Sequence, residues 1–439
     1  MARVKDRWYN AKKGTGGERV KSARYGKGDR WQVEYVDDQG NTKYPTFRTR
    51  AAADQFASTV ETDLLRGAYI DPDKGRQLFR DYVAQDWLPA QVQHAPSTAE
   101  TLDSDLRNHI LPAFGDRQVG QIQRRAVVTW VAGRSKLLAP RTLHRVYGFL
   151  ATILKAAAVD GVIRQTPCVN INLPPITQTR VDPLPTLAVE ALIAAAPERW
   201  RSAFVVAAGM GMREGEILGL TLDRVEFLGR RRRIRVDRQA QTLNKGGPYL
   251  RPVKREASER SIPLPDVVGQ ALSRHVTTFP PAIVEVDEYT ERAAGAPAKR
   301  SRVRLLYPGP DGGIMRRNRF IDSVWKRTVK AAERALRTQA ADERAKGSTA
   351  AADATDAVAD RLAGKVDFHE LRHFYASLLI HAGESVKVVQ ARLGHKSAVE
   401  TLDTYGHLWP DDEEGTRAAV DGVLGATPAD KTAQEQSTA

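Results

Sequence analysis

The chain has 439 residues, 41% of them hydrophobic, and its 67 Lys and Arg outnumber 53 Asp and Glu for a formal charge of +14. That length exceeds what one compact core organises, so two or three domains are expected, and the basic balance favours a polyanionic partner. No apolar run approaches the roughly 20 residues of a membrane span and none follows the basic N-terminus as in a signal peptide, so the chain reads as cytosolic.

Residues 1 to 27 are rich in Lys, Arg and Gly with little apolar periodicity, which reads as a mobile basic arm; Lys12 and Lys13 are its candidate phosphate contacts. Trp31 to Tyr35 alternates, Asp38-Gln39-Gly40-Asn41 turns, and Lys43 to Phe47 is again extended, so a β-hairpin is expected there. Ala53, Phe56, Val60 and Leu64 then recur at helical spacing over 50–66, and the first 70 residues form a sheet-plus-helix module.

From Phe79 to Pro174 the apolar spacing is helical, with breaks at Pro96, Pro112, Gly115 and Pro140. Basic residues recur along it (Arg124, Arg125, Arg141, Arg145, Lys155), and a helical domain over 76–172 with a basic face is the reading. The only cysteine, Cys168, can form neither an internal disulfide nor a thiolate metal site and reads as a packed apolar residue. A proline-containing linker over 173–182 follows.

The segment 183–426 predicts helices at 186–196, 200–209 and 214–220, then strand-like stretches around 233–236, 250–253 and 261–264 that build one small sheet. Residues 281–303 read as a charged irregular insertion, and 337–364 as either a surface helix or a disordered segment. Residues 427–439 read as a polar frayed tail. The fold class expected is multidomain, mainly α with small β-sheets.

The densest signal begins at Asp367. Asp367 and Glu370 are spaced as a capping box, which starts a helix at Phe368. Leu371, Phe374, Tyr375, Leu378 and Leu379 share one apolar stripe, and His369, Arg372, His373 and Ala376 lie opposite, on the face assigned to chemistry. His369-Glu370-Leu371-Arg372-His373 also fits the H-E-x-x-H zinc pattern, but Ala376 and Leu379 supply no third ligand, and Arg372 disfavours a dication. No metal site is assigned.

Further on, Ser385 caps a helix that Gly394 stops, leaving His395 just beyond it; Ser397 and Glu400 begin a short helix ending near Tyr405. Taken alone, Tyr405 reads as a half-buried aromatic at a mobile helix end.

His369-x-x-Arg372, Leu393-Gly394-His395 and Tyr405-Gly406-His407, preceded by Gly211-Met212-Arg213-Glu214-Gly215-Glu216, together resemble the signature of the tyrosine recombinases, the family of phage integrases. Val253 to Leu264 resembles the hairpin that carries the family's catalytic lysine, with Lys254 at the matching position and Arg255 and Lys245 close by. The motifs cover about 180–420. Over 76–172 the likeness is looser, to a core-binding domain, and at 1–70 it is one of layout, to an arm-binding domain.

The resemblance implies that Tyr405 attacks a DNA phosphodiester to form a 3′-phosphotyrosyl bond. Arg213 and Arg372 would bind the phosphate oxygens, His369 and His395 would assist, and Lys254 would protonate the 5′ oxygen. It implies no cofactor, metal or ATP. The implied partners are double-stranded attachment sites, three further copies in a tetramer on two duplexes, and accessory DNA-bending or directionality proteins. Val420, Val423 and Leu424 stand at helical spacing, for contact with a neighbouring subunit or with their own domain. Two rival readings share part of this evidence: a type IB topoisomerase-like enzyme, and a DNA-binding protein without catalysis.

Overall fold

A computed structural model of the chain describes residues 2–13, 19–38, 40–67, 69–71, 73–177, 180–243, 246–291, 297–409 and 413–424. Two compact units divide at 177/178, apart from residues 95–97, which group with the second. Among the described residues no helix is long and apolar enough to cross a membrane.

The first unit opens with strands β1 (Arg3–Asp6), β2 (Tyr9–Lys13), β3 (Arg19–Lys21), β4 (Trp31–Val36), β5 (Thr42–Lys43) and β6 (Thr46–Phe47). β4 is central, pairing antiparallel with β1, β5 and β6. Helix α1 (Arg50–Leu65), capped by the Thr49 hydroxyl, lays Ala53, Ala57 and Val60 on Val33 and Tyr35. The described residues of the N-terminal segment are therefore not a free basic arm. β1 is part of the sheet, because Val4 alternates with charged residues and pairs opposite Val33. Asp6 also holds both Arg30 and Arg19 in ion pairs.

Helices α2 (Phe79–Tyr82), α3 (Pro96–Asp105), α4 (Leu111–Phe114), α5 (Arg124–Arg134) and α6 (Pro140–Val159) follow. The core of the first unit's bundle includes Phe79, Trp87, Ile110, Phe114, Val127 and Leu150. Pro140 sits at the first turn of α6, where its missing N–H costs no helical bond.

The second unit contains α7 (Thr186–Ala195), α8 (Glu198–Met210), α9 (Glu214–Leu218), β7 (Val225–Glu226), β8 (Arg233–Val236), β9 (Arg238–Thr242), β10 (Pro248–Pro252), β11 (Arg260–Pro263), α10 (Asp266–Thr278), β12 (Ala282–Glu288) and β13 (Lys299–Leu305). It continues through α11 (Arg317–Phe320), α12 (Lys326–Ala345), α13 (Thr349–Ala363), α14 (Glu370–His381), α15 (Val386–Leu393), α16 (Ala398–Tyr405) and α17 (Glu413–Leu424). Among the described residues two small sheets are present where one was expected, ordered β13-β12-β10-β9 and β11-β8-β7.

The expected irregular insertion at 281–303 is instead an antiparallel pair, β12 with β13, that widens the first sheet. Its inner face carries Val284, Val286, Val303 and Leu305 at period two. The segment 337–364 is helical and ordered: α12 and α13 fold back on each other, burying Leu336, Ala340, Ala352, Ala359 and Leu362. Alanine at 340, 352 and 359 lets the two backbones approach, and Arg337 and Arg344 of α12 pair with Asp356 of α13.

Truncating Leu336 to Ala should cost about 2–5 kcal/mol of stability, because its side chain is 1% exposed in the main core. Leu378→Ala, by contrast, should stay within about 0.5 kcal/mol, since Leu378 is 44% exposed and not in the core expected for it. Urea unfolding of the two variants measures both.

Candidate active site

Several segments of the second unit supply the site, and the helical ones are positioned by local backbone devices. α8 ends on Gly211, whose φ of 60° lies in the left-handed region and whose missing side chain makes room for the Tyr375 ring. The chain then restarts as α9 with Arg213 as its first cap. The Arg213 backbone N–H donates to Glu216 Oε2 at 2.9 Å and its Nη1 donates to Glu216 Oε1 at 2.9 Å.

The expected capping box at Asp367 and Glu370 does not form. Asp367 Oδ1 accepts the His369 N–H two residues on (2.7 Å), so His369 is the cap and α14 begins at Glu370. Nor is α14 divided into a core face and an open chemical face. Arg372 is 2% exposed, Ala376 is buried with Leu371, and only Leu378 faces out among the residues of the expected stripe. Arg372 Nη1 donates to Gly211 O at 2.7 Å and Nη2 to Leu393 O at 2.6 Å, which locks one face of the guanidinium.

α15, capped by Ser385, stops at Gly394 in the left-handed region (φ 67°). Gly394 O accepts Arg213 Nη2 (3.5 Å) and Ser258 Oγ (3.3 Å). His395 is buried beyond it, with Nδ1 2.9 Å from Thr401 Oγ1. Ser397 caps α16, whose last residue is Tyr405. The tyrosine is 1% exposed rather than half-buried, packed with Tyr375, Ala376, Ile380, Val389 and Leu393. Its ring lies parallel to that of His395 at 6.2 Å, and its hydroxyl is 2.7 Å from His373 Nδ1.

The structure thus gathers Arg213, His369, Arg372, His395 and Tyr405. Lys254 stands on the bend after β10 and lines a cleft of about 320 Å³ with Arg213, Arg255, Gly394 and Glu400. Lys245 lies outside the described residues, as do the side chains of Lys12 and Lys13. In the helical unit Arg141 is exposed, while Arg124 donates to Val169 O and Asn170 O, and Arg145 pairs with the buried Asp105. His407 binds Val181 O and stays out of the cluster.

Two participants were missed by sequence reasoning. His373 was placed on the chemical face but given no role; the i, i+4 spacing from His369 was its only signal. Arg260 lies 5% exposed and donates to both Glu216 oxygens (3.1 and 2.8 Å) and, through Nε, to Arg392 O (2.8 Å).

Electrostatics follow from this crowding. Burial would raise the Glu216 carboxyl, but Arg260, Arg213 and Arg372 overcome it and hold it at about 2. Burial, then Arg213 and Arg260, press Arg372 down to about 9, so it remains a cation at neutral pH. Burial, then Arg372, Arg213 and Arg260, depress His395 to about 4, and loss of hydration, then Arg372, His373 and Arg213, also lower His369. Both imidazoles are neutral at pH 7. Burial raises the Tyr405 phenol to about 12 even though Arg372 and Arg213 pull it down. Among the described residues no three His, Cys, Asp or Glu side chains are grouped to hold a metal ion.

A helical bundle followed in the chain by a mixed unit that converges arginines, histidines and a tyrosine defines an integrase-class protein. The chain belongs to the phage integrase family, whose model matches residues 184–411, with the phage integrase central domain matching 80–172. It is 39% identical over 59 residues (13% of this chain) to the ICEBs1 integrase of Bacillus subtilis. It is 25% identical over 254 residues (56% of this chain) to a putative prophage phiRv2 integrase of Mycobacterium tuberculosis. The matched regions span 16% and 66% of those relatives' lengths. Among solved structures it resembles a Tn1549 transposon integrase in complex with transposon right end DNA. That likeness has a TM-score of 0.58 at 19% identity and covers 80% of this chain and all of that one.

Glu216→Gln tests the charge balance. A carboxylate whose pKa falls from 4.5 to about 2 on folding contributes about 3 kcal/mol above pH 4.5, and loses it as the pH drops through 2. The variant should therefore be less stable than the parent at neutral pH, with the gap closing in acid. Chemical denaturation at a series of pH values checks this.

Proposed function

We propose that this protein is a site-specific DNA recombinase that cuts and rejoins duplex DNA through a 3′-phosphotyrosyl bond at Tyr405, integrating or excising a mobile element. The observation that carries the reading is the convergence of Tyr405 with Arg213 and Arg372 inside the family-matched region. Displacement at a phosphodiester needs a nucleophile, fixed positive charge for the non-bridging oxygens and a proton for the leaving alkoxide. Arginine is suited to the second need because its planar fork stays charged and binds two oxygens at once.

In this reading Arg213 and Arg372 hold the phosphate through the N–H groups their anchoring bonds leave over. His395, with Nδ1 against Thr401, offers its other nitrogen to a phosphate oxygen, and His369 contributes from the α14 cap. Lys254, on the cleft shared with Arg213, protonates the 5′ oxygen. The phosphotyrosyl ester conserves the bond energy, so rejoining requires no ATP. Exchange between two duplexes calls for four protomers. α17, with Val420 and Leu424 exposed, is available for a contact between them, whereas the Val423 side chain lies outside the described residues. The basic helical unit, with Arg124, Arg141 and Arg145, and the N-terminal module add contacts to DNA in the cytoplasm, and DNA-bending or directionality proteins complete the assembly.

Incubation with a nicked duplex that loses its 5′ fragment on cleavage should trap a covalent complex, and peptide mapping should place the DNA on Tyr405. Tyr405→Phe should bind the same duplex with unchanged affinity and form no adduct. Cleavage by that variant, or DNA found on another residue, overturns the proposal. Binding by both proteins should weaken steeply as salt rises, because Lys and Arg contacts release counterions.

A further inference from the structure

We propose that His373 is the base that takes the phenolic proton of Tyr405; the inference rests on Tyr405 being the nucleophile. Attack on phosphorus must strip the proton from a buried phenol whose affinity for it is raised above that of free tyrosine. The two guanidinium groups stabilise the phenolate but have no lone pair to receive the proton.

Geometry separates the three imidazoles of the site. His395 has Nδ1 at the Thr401 hydroxyl, and its ring lies parallel to the tyrosine at 6.2 Å between centroids. His369 sits at the head of α14 with its ring edge-on to His373 at 4.9 Å. His373, one turn further into the helix, places Nδ1 2.7 Å from Tyr405 Oη, within the reach required of a general base. Burial, and Arg372 beside it, lower the imidazole below its ordinary value despite the opposing pull of Asp367, so the ring is neutral at pH 7 and Nδ1 can accept. Asp367 then favours the imidazolium once it has formed.

The step balances. As the Oη–P bond forms and the bond from phosphorus to the 5′ oxygen breaks, the phenolic proton moves to His373 Nδ1, and Lys254 delivers a proton to the departing 5′ oxygen. In rejoining, the 5′ hydroxyl attacks, the neutral Lys254 amine takes its proton, and the His373 imidazolium returns a proton to Oη as the phenol leaves.

The experiment measures the single-turnover rate of covalent attachment of the full-length protein to the nicked duplex. His373→Asn keeps an acceptor near the phenol but cannot take its proton, and His373→Ala removes both. Both should attach DNA roughly 10²- to 10⁴-fold more slowly while still binding it. Replacing Tyr405 by 2,3,5-trifluorotyrosine, whose phenol ionises close to neutral pH, should restore most of the rate in either variant. A 5′-bridging phosphorothiolate substrate, whose thiolate departs without an acid, should not. The proposal is overturned if His373→Asn reacts within about threefold of the parent, if the acidified phenol restores nothing, or if both variants lose DNA binding. Attachment by Tyr405→Phe would instead remove the nucleophile assignment beneath it.

Discussion

The site is organised by one buried carboxylate set among three guanidinium groups. Glu216 is 2% exposed, accepts from Arg213 and Arg260, and lies within the field of Arg372. Three like charges in a poorly solvated space repel strongly, and a single anion cannot neutralise them. Part of the remaining cost is met by carbonyl dipoles: Arg372 donates to Gly211 O and Leu393 O, Arg260 to Arg392 O, and Arg213 to Gly394 O. The net positive charge that survives is what an anionic phosphate diester would complement.

Those carbonyls come from helix ends, which explains why two glycines frame the site. The last carbonyls of a helix have no partner within it, and a left-handed residue at the stop turns the chain away so that side chains from elsewhere can reach them. Gly211 ends α8 and Gly394 ends α15 in this way, and in both places the arginines occupy the freed or neighbouring oxygens. A Cβ at Gly394 would press on Arg260 and Ser258, and one at Gly211 would collide with Tyr375. Backbone conformation and charge placement are therefore one constraint.

Much of this was legible in the sequence because it depends on local spacing. The Ser385 and Ser397 caps, the stop at Gly394 and the helices around Arg213 all follow short-range rules. Most of what escaped depends on partners distant in the chain. The β12–β13 pair alternates plainly at Val284, Val286, Val303 and Leu305, but its dense Arg, Glu and Asp masked that period until a sheet edge was there to receive it. The α12–α13 pair is rich in alanine, so its hydrophobic signal is weak, and burial of Ala340 and Ala352 comes from packing that composition alone does not reveal. At the start of α14 an Asx turn competed with the capping box and won, since Asp367 reaches the His369 N–H two residues on. The burial of Tyr405 and its hydrogen bond to His373 join residues 32 positions apart and have no local signature.

That burial bears on how the proposed reaction would be kept in check. A phenol held at about 12 and imidazoles pressed toward neutrality leave no strong nucleophile standing in the resting protein, whereas Arg372 remains a cation at neutral pH. The same desolvation that raises the phenol strengthens any attraction between the guanidinium groups and an incoming phosphate. Binding of a phosphate diester would partly neutralise the cations and make it easier for a nearby imidazole to accept a proton, though it would also remove some of the field that favours the phenolate. The two effects oppose each other, so in the proposed reaction proton removal would be coupled to bond formation at phosphorus, where the negative charge of the phenolate is consumed as it appears. A base already in hydrogen-bond contact with the hydroxyl is what such coupling requires.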